Sequence, residues 1–519
     1  MATRPFRTSR RYSNSSAPTS SAPVPQSQAS MLATITTDLD KIAPRFEVQP
    51  DQIEILQTPT EFYETLKAKI LKAKSRIYLS TLYIGKTEHE FIATIRTALQ
   101  SNPNLSVSFL TDALRGTRET PNASSASLLA PLIAEFGDRV EVRMFHTPNL
   151  TGLRKKFIPK RINEGWGLQH MKLYGVDDEI IMSGANLSSD YFTNRQDRYH
   201  LFRSAELADY FSTIHNKVCE LSFDIQPSSE PAGYTMRWPT TNPAPSPLES
   251  PEKFKSSASR YLSPFLTPAN SPKPLTKDAR SSSTTVYPVL SFVPLLETST
   301  ELPALTTILT RLSQPPFHPA SWTFTAGYFN MTPSFRRLLL STRPASGTVL
   351  TAHPYANGFY GSKGVSGMLP DAYTHLAKMF LKRVRYEGLD KNITLKEWQR
   401  GKVNEEGGWT YHAKGLWITF PTSSDASSPP APPEKGEDPS LTVIGSSNYT
   451  KRSYQLDLEA NVIIATSDPG LRRRLGEEVQ WLGEYAKKVD ESDFEIPERK
   501  VSLHVRLSMW LVRVLGGAL

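Results

Sequence analysis

Apolar and polar positions along the chain follow two periods, and together they predict a mixed α/β fold. Phe62, Leu66 and Ile70 recur every fourth residue after the capping-box sequence TPTE, which predicts a helix beginning near residue 59. A second helical pattern covers residues 88–99. Three β-rich runs predict strands at residues 76–85, 105–112 and 139–148. Strands that alternate with helices are typical of layered α/β domains.

The pattern of the first half of the chain returns in the second half. Residues 320–333 (ASWTFTAGYFNMTP) resemble residues 75–88 (SRIYLSTLYIGKTE), and the run GTVLTAHPYANGF resembles VSFLTDALRGTR. A repeat of this length indicates one supersecondary unit used twice. We therefore expect two α/β sandwich halves, at residues 41–225 and 286–495, with the active site between them.

The segments outside these halves have distinct compositions. Residues 226–285 and 421–440 are rich in proline and serine and have few apolar side chains, so we expect a linker or insertion and a disordered insertion. Residues 1–40 are predicted to be disordered. Their arginines and serines, with no acid before Asp38, are typical of a mitochondrial transit peptide, with an ordinary basic tail as the alternative. Residues 496–519 predict an amphipathic helix that lies in a membrane interface or packs on its own domain.

Charge and cysteine content narrow the possible partners. The 519-residue chain has a formal net charge of +9 and a pI of about 9.3, which favours nucleic acid, phospholipid surfaces or phosphorylated metabolites. The single cysteine, Cys219, excludes an intrachain disulfide framework and an all-thiolate metal site. No run of 18 or more uncharged apolar residues is present, so the sequence predicts no transmembrane helix.

A His-x-Lys pair occurs in each half, and its chemistry suits phosphate diesters. Side chains two positions apart on a strand point to the same face, so His170 projects with Lys172, and His412 projects with Lys414. An imidazole attacks or transfers a proton near neutral pH, and a lysine supplies positive charge. Two such halves facing each other would hold a diester while one histidine attacks phosphorus and the other protonates the leaving oxygen. The set lacks the carboxylates of a magnesium site, so we expect neither a metal nor another cofactor.

The residues that follow the two pairs are spaced alike. The first histidine precedes Asn186 by 16 residues, and the second precedes Asn448 by 36, of which about 20 belong to the expected insertion. Asn186 precedes Asp197 by 11 residues, and Asn448 precedes Glu459 by the same number. Both asparagines stand near glycines in expected turns, where their amides are candidates for binding an anion. We include Glu459 with them in the candidate substrate-binding set.

These motifs resemble those of the phospholipase D superfamily, whose duplicated pattern is His-x-Lys-x4-Asp followed by a Gly-rich Asn turn. The resemblance implies two phospholipase D-like halves and, by superfamily order, His170 as nucleophile and His412 as acid and base. It makes Asp177 a candidate catalytic residue of the first copy. Thr419 occupies the aspartate position of the second copy, which departs from a scheme with two equivalent aspartates.

Within the superfamily the chain resembles the phosphatidylglycerophosphate synthases, in stretches such as EGWGLQHMKLYGVDD and GSSNYTKRSYQLDLEAN that together span roughly residues 50–465. This resemblance implies transfer of a phosphatidyl group from CDP-diacylglycerol to glycerol 3-phosphate through a phosphatidyl-histidine, the committed step to phosphatidylglycerol and cardiolipin. It also implies a mitochondrial protein, peripheral on the inner membrane and in contact with anionic lipid, without a nucleic acid partner.

Basic residues near the first motif are further candidates for binding anionic substrates. Arg115 and Arg118 follow a strand end, where ligands commonly bind in α/β sheets. Residues 154–161 (RKKFIPKR) include five cations in eight positions. A solvated basic face or a contact with anionic lipid is the alternative interpretation of both features.

Other functions remain open from the sequence. A nuclease or other phosphodiesterase acting on nucleic acid shares the paired motif and a basic chain. A cardiolipin synthase or a phospholipase D differs only in the acceptor. A catalytically inactive membrane-binding scaffold is disfavoured by the two intact His-x-Lys pairs.

Overall fold

Two large β-sheets, each flanked by helices, carry the two expected halves. The computed structural model describes residues 26–160, 162–271, 283–296, 299–421, 432 and 436–514. The strands in chain order are β1 (Phe46–Glu47), β2 (Ile53–Leu56), β3 (Arg76–Ser80), β4 (Ser106–Asp112), β5 (Val140–Phe145), β6 (Leu173–Val176), β7 (Glu179–Ser183), β8 (Arg195–Gln196), β9 (Tyr199–Arg203), β10 (Phe223–Pro227), β11 (Tyr234–Arg237), β12 (Thr284–Ser291), β13 (Ser321–Ala326), β14 (Gly347–Ala352), β15 (Ile393–Trp398), β16 (Thr410–Tyr411), β17 (Lys414–Thr419), β18 (Leu441–Gly445), β19 (Glu459–Thr466) and β20 (Ala486–Lys488). The α-helices are α1 (Gln26–Leu39), α2 (Pro59–Leu71), α3 (His89–Ser101), α4 (Ala113–Gly116), α5 (Ser125–Phe136), α6 (Gly152–Phe157), α7 (Ser189–Thr193), α8 (Ala205–Cys219), α9 (Pro251–Leu262), α10 (Glu301–Leu312), α11 (Pro333–Ser341), α12 (Leu369–Tyr386), α13 (Lys451–Gln455), α14 (Pro469–Leu482) and α15 (Leu503–Val514).

The two sheets repeat one strand order. The first runs β11-β10-β5-β4-β3-β6-β7-β9-β2, and the second runs β1-β12-β19-β18-β17-β13-β14-β15-β20. The segment β5-β4-β3-β6-β7-β9 matches β15-β14-β13-β17-β18-β19, since in each case three parallel strands are followed by three antiparallel ones. The α/β fold of two repeated halves expected from the sequence is therefore confirmed.

Three apolar clusters join the layers. The first lies between the sheets and includes Leu173 of β6 and Trp417 of β17. The second packs α10, α11 and α12 on the outer face of the second sheet, and the third packs α2, α3 and α5 on the first sheet. Along β17, Leu416 and Ile418 face the second cluster while Trp417 faces the first, as the period of a strand requires. Helices thus cover the outer face of each sheet, while α8, α9 and α14 join the inner faces of the sheets in a core shared by both halves.

The N-terminal segment differs from the expectation of disorder through residue 40. Met31, Ile35 and Leu39 recur every fourth residue along α1 and are buried in the second cluster, against α10. β1 pairs with β12, so this first part of the chain completes the second half rather than the first. Residues 1–25, which include most of the expected transit peptide, lie outside the described residues.

The expected linker at residues 226–285 is folded over its described part. β11 pairs with β10 at the edge of the first sheet. α9 begins with a proline in its first turn and places Phe254, Ala258 and Leu262 in the core between the sheets. These residues recur at four-residue spacing and form an apolar helix face. The average composition of the segment, which is polar, does not indicate this face. Residues 272–282, and residues 422–431 and 433–435 of the second insertion, lie outside the described residues.

The C-terminal helix expected from the sequence is present as α15. Its Val505 and Met509 are buried against Ala372 of α12. Three large apolar side chains on the other face are exposed: Leu503, Leu507 and Trp510. Side chains beyond residue 510 lie outside the described part. No described helix is both long enough and apolar enough to cross a bilayer.

Candidate active site

The two histidines lie where the sheets face each other. His170 precedes β6, and His412 precedes β17, the equivalent strand of the second half. The amide of His170 donates to the carbonyl of Leu458 at 2.9 Å, and the amide of His412 donates to the carbonyl of Gln196 at 2.8 Å. The same backbone contact between halves is therefore made twice, and it brings the two His-x-Lys motifs together.

His170 is paired with a carboxylate of the other half. Its Nδ1 lies 2.9 Å from Oε2 of Glu459, and the hydroxyl of Ser446 donates to the same oxygen. Burial lowers the pKa of His170 well below its ordinary value and raises the pKa of Glu459 to about 7. Since Nδ1 faces Glu459, Nε2 is the nitrogen left for chemistry.

His412 is paired in the same way with a carboxylate of the first half. Its Nδ1 lies 2.6 Å from Oδ2 of Asp197, and Nζ of Lys414 lies 3.5 Å from that oxygen. Burial acts to raise the pKa of Asp197, but Lys414 and His412 outweigh it, so the pKa falls below its ordinary value. Burial lowers the pKa of His412 well below its ordinary value. The histidine is thus neutral beside an ionised carboxylate.

These two pairs are here called the crossed dyads, because each joins the histidine of one half to a carboxylate of the other half. Asp197 was missing from the site residues expected from the sequence, whereas Glu459 was among them. The sequence did contain the signal, because both acids follow their asparagine by 11 residues. Because the two halves are repeats, the choice of Glu459 as a site residue also predicts Asp197 at the equivalent position.

The two lysines are buried beside their histidines. Nζ of Lys172 donates to the carbonyl of His170 at 2.7 Å, and Nζ of Lys414 donates to the carbonyl of His412 at 2.8 Å. Burial lowers the pKa of both lysines, while the nearby carboxylates act in the opposite direction. Each lysine is therefore held in one position, where it can face a phosphoryl oxygen.

The Gly-rich turns follow β7 and β18, which are equivalent strands of the two halves. A Cβ at Gly184 would lie 2.6 Å from Nζ of Lys414 and 2.8 Å from an oxygen of Asp197, so only glycine fits there. Asn186 is buried, and its side-chain oxygen accepts from the hydroxyl of Thr81 at 3.5 Å. Asn448 is half-buried, and its backbone amide donates to the hydroxyl of Ser453 at 3.0 Å. Both asparagines thus belong to turns that contact the dyads, through Gly184 beside Asp197 and Ser446 bonded to Glu459.

Aromatic side chains cover His412. The hydroxyl of Tyr191 lies 3.4 Å from Nε2 of His412, and the ring of Tyr328 stands edge-on to the imidazole at 5.1 Å. Tyr373 stacks on Tyr328 at 5.8 Å. These tyrosines have no local signal that distinguishes them among the 20 in the chain. The fold alone places them at the site.

The structure does not bring Asp177 to the histidines. It lies in the turn after β6, with φ of 50°, and its carboxylate accepts from the amides of Lys74 and Ser75 at 2.8 Å each. Seven residues of extended chain separate it from His170, roughly 20 Å at the rise of a strand. Its role is to hold the start of β3. Thr419 lies at the corresponding end of β17, so the missing second aspartate is also remote from the chemistry.

The two candidate arginines differ in placement. The guanidinium of Arg115 lies over the ring of Tyr83 at 4.3 Å and beside Glu119 at 3.5 Å. Arg118 forms an ion pair with Glu164 instead. The basic run at residues 154–161 begins in α6, where both the apolar and the cationic side chains are exposed, and Arg161 lies outside the described residues.

Among described residues no cluster of three or more histidines, cysteines or acids is arranged to hold a metal ion.

The fold and the paired motifs place the chain among phospholipase D-like enzymes. A crystal structure of phosphatidylserine synthase from Haemophilus influenzae matches it with a TM-score of 0.68 at 19% identity, over 94% of this chain and 98% of that one. No protein-family model matches the sequence.

Curated relatives define the family of the chain more narrowly than the solved structure does. The CDP-diacylglycerol–glycerol-3-phosphate 3-phosphatidyltransferase of Saccharomyces pastorianus is 46% identical over 94% of this chain and 93% of its own. The enzyme of that name from Saccharomyces cerevisiae is 45% identical with the same coverage, and the Homo sapiens form, named mitochondrial, is 34% identical over 91% of this chain and 84% of its own. The chain belongs to the CDP-diacylglycerol–glycerol-3-phosphate 3-phosphatidyltransferase family and is a transferase of phospholipid biosynthesis.

Proposed function

We propose that the protein transfers the phosphatidyl group of CDP-diacylglycerol to glycerol 3-phosphate, forming phosphatidylglycerophosphate and CMP. The observation that carries the proposal is the crossed dyads, in which each imidazole is fixed through Nδ1 and keeps Nε2 for the reaction. The substrates are those in the names of the curated relatives. The product is the precursor from which phosphatidylglycerol and cardiolipin are made.

In the first step, Nε2 of His170 attacks the phosphorus that bears diacylglycerol. A P–N bond forms, the P–O bond to CMP breaks, and Nε2 of His412 gives its proton to the departing oxygen. Glu459 holds Nδ1–H of His170 and stabilises the positive charge that develops on the ring. Lys172 and Lys414 face the negative charge of the phosphoryl oxygens.

In the second step, glycerol 3-phosphate replaces CMP beside the same histidine. Nε2 of His412 takes the proton of an acceptor hydroxyl, the oxygen attacks phosphorus, and the P–N bond to His170 breaks. Asp197 keeps His412 in the required tautomer and stabilises its protonated form. The unliganded site holds His412 neutral, and the negative charge of a bound diphosphate favours the protonated form that step one requires.

Access to the two rings favours His170 as the nucleophile. Its side chain is 9% exposed, against 4% for His412. Nε2 of His412 faces the hydroxyl of Tyr191, whereas no hydrogen bond from the described residues occupies Nε2 of His170. A nucleophile must reach phosphorus directly, while an acid and base needs only to reach an oxygen at the edge of the same group.

A peripheral location on a mitochondrial inner membrane fits the exposed apolar surfaces and the names of the vertebrate relatives. Three apolar side chains of α15 point away from the protein, and Leu153 and Phe157 of α6 are more than two-thirds exposed among Arg154, Lys155 and Lys156. Apolar side chains surrounded by cations are typical of helices that lie on anionic lipid. Such a surface would let the enzyme take CDP-diacylglycerol from the bilayer.

The test is a product assay with the purified full-length chain. CDP-diacylglycerol in detergent is supplied with and without glycerol 3-phosphate, and CMP and lipid products are followed by mass spectrometry. Omitting the acceptor and digesting the quenched enzyme should reveal phosphatidyl on the peptide that contains His170. His170→Ala should abolish the adduct and all CMP release, and His412→Ala should abolish turnover.

Other outcomes would redirect the assignment. Phosphatidic acid formed regardless of acceptor would make the protein a phospholipase, and cardiolipin formed from phosphatidylglycerol would make it a cardiolipin synthase. An adduct on His412 in place of His170 would exchange the two roles. Activity only on nucleic acid diesters would indicate a nuclease, and no activity at all would leave a membrane-binding scaffold.

A further inference from the structure

A cavity of about 250 Å³ with both polar and apolar lining is connected to His412 through a short series of side-chain contacts. It opens between the end of β3, the start of α4 and the start of α7. Its lining includes the side chains of Tyr83, Lys86, Arg115, Ser125 and Ser188. Neither histidine forms part of its wall, so the two steps proposed above leave its purpose unassigned.

The side chains of Arg195 and Tyr191 connect this cavity to His412. Asp190, which lines the cavity, forms an ion pair with Arg195 at 3.0 Å. The guanidinium of Arg195 lies over the ring of Tyr191 at 4.6 Å, and the hydroxyl of Tyr191 is 3.4 Å from Nε2 of His412. The cavity and the nitrogen that handles the proton of the acceptor thus lie on opposite sides of Arg195 and Tyr191.

Two cations face the cavity. Arg115 is fixed on the ring of Tyr83, and its charge is only partly balanced by Glu119 at 3.5 Å. Lys86 is exposed and has no acidic partner within the part of the chain that the structure describes. Fixed guanidinium and mobile ammonium groups together are suited to a phosphate group.

The remaining wall is rich in groups that bind hydroxyls. Ser188 and Tyr83 approach each other at 3.4 Å and present hydroxyl groups. Glu88 already accepts from the amide and the hydroxyl of Ser189, at 2.8 and 2.7 Å, which satisfies one of its carboxylate oxygens. Asp190 shares its charge with Arg195. A wall with both cations and carboxylates fits a ligand that has a phosphate at one end and hydroxyl donors at the other.

We propose that this cavity is the binding site of glycerol 3-phosphate, an inference that rests on the proposed function. Lys86 and Arg115 bind the phosphate, and the glycerol hydroxyls extend along Ser188 and Asp190 toward His412. The cavity serves the second step only, so the first step, in which CMP leaves, does not need Lys86. At about 250 Å³ it is too small for the acyl chains of the other substrate.

The experiment separates the two steps in the full-length enzyme. Exchange of labelled CMP into CDP-diacylglycerol without acceptor reports the first step, and product formation at varied glycerol 3-phosphate reports the second. Lys86→Gln and Arg115→Lys should each raise the KM for glycerol 3-phosphate about tenfold or more, since a lost hydrogen bond to a charged group is worth about 1.5–3 kcal/mol. CMP exchange and the KM for CDP-diacylglycerol should stay within about twofold of wild type. Lys72→Gln, an exposed lysine at the end of α2, is the matched control.

Three results would overturn the assignment, each in a distinguishable way. An active enzyme whose KM for glycerol 3-phosphate is unchanged in both variants would refute the cavity as acceptor site and leave the proposed function intact. Slower CMP exchange with a raised KM for CDP-diacylglycerol would assign the cavity to the cytidine diphosphate group instead. A wild-type protein without CMP exchange or product would refute the proposed function and this inference with it.

Discussion

Nδ1 of His412 lies 2.6 Å from Oδ2 of Asp197, a residue 215 positions earlier in the chain. The same relationship joins His170 to Glu459 across 289 positions in the opposite direction. Each imidazole is thus oriented by a carboxylate that its own half does not contain. Replacing one carboxylate should therefore affect catalysis while leaving the histidines in place.

Asp197→Asn should reduce kcat by about 10²–10⁴-fold, because an amide beside Nδ1 no longer favours the productive tautomer or the protonated ring. The melting temperature should also fall, because the amide removes the counter-charge of the buried Lys414. Steady-state kinetics and thermal unfolding check the two expectations. Asp178→Asn, an exposed acid of the same half, is the control, and a kcat within threefold of wild type for Asp197→Asn would contradict the dyad.

A buried acid near Glu459 should make stability depend on pH. Glu301 is the first residue of α10, is 1% exposed and faces Ser447 and Asn461. Burial, together with the charge of Glu459, raises its pKa from 4.5 to about 8. The folded protein therefore keeps a proton between these pH values that the unfolded chain releases. This stabilising contribution is complete below pH 4.5 and is lost as the pH rises to about 8.

Glu301→Gln should remove much of this dependence, because an amide resembles the protonated acid at every pH. Urea unfolding at pH 5.5 and pH 8.5 measures the effect as a free energy of unfolding. The loss of stability between the two pH values should be smaller in the variant by on the order of 1–3 kcal/mol. Glu406→Gln, at an exposed loop position, should leave the dependence as in wild type. An unchanged dependence in Glu301→Gln would show that this acid is ionised in the fold.

Asp177 should contribute to stability and not to the reaction. Its carboxylate accepts backbone hydrogen bonds that start β3, so Asp177→Ala leaves those amides without their partner. The expected cost is about 1–3 kcal/mol of the free energy of unfolding. The kcat of the folded variant should equal that of wild type. Asp178→Ala provides the adjacent exposed control, and a large fall in kcat without loss of stability would return Asp177 to the catalytic set.

The ion pair of Arg198 and Glu478 should be necessary for the two halves to stay joined. Both side chains are buried, and Glu478 accepts from Arg198 at 2.8 Å, contacts the ring of His200 at 2.9 Å and accepts from Trp417 at 2.9 Å. Glu478→Gln leaves the guanidinium buried without its counter-charge, at a cost of about 3–5 kcal/mol. Thermal unfolding measures this cost. Glu477→Gln on the exposed side of α14 is the matched control, and an equal small effect in both variants would refute the role.

Removing the exposed apolar side chains of α15 should weaken binding to anionic vesicles. The combined variant Leu503→Ser, Leu507→Ser and Trp510→Ser keeps the buried Val505 and Met509, so the helix remains docked on α12. Sedimentation with vesicles of phosphatidylcholine and cardiolipin should show at least a tenfold weaker association, since each of these side chains is worth more than 1 kcal/mol when buried. Activity on substrate in detergent should be retained. Leu71→Ser, an exposed leucine on α2, is the control. Vesicle binding equal to wild type would exclude α15 as the contact.

The sequence alone predicted the repeat, both histidines and both lysines, because these features depend on strand periodicity and on spacing that survives duplication. Asp197 was recoverable from the same spacing. Tyr191 and Tyr328 were not, since their position beside His412 results from packing between segments far apart in the chain. α1 and α9 were missed for a different reason. Their apolar residues recur at four-residue spacing inside segments whose average composition is polar, so a judgement from composition conceals the buried face.

The crossed dyads also bear on how such a chain arises. A polypeptide with only one half would have a histidine and an acid that cannot reach each other, so it would acquire a complete site only by pairing with a second copy about a two-fold axis. Fusion of two copies removes the requirement that they be identical. The present chain uses that freedom: Gly184 stands where the other half has Ser446, and Asp177 stands where the other half has Thr419. The two histidines are thereby free to specialise, although neither works without the other half.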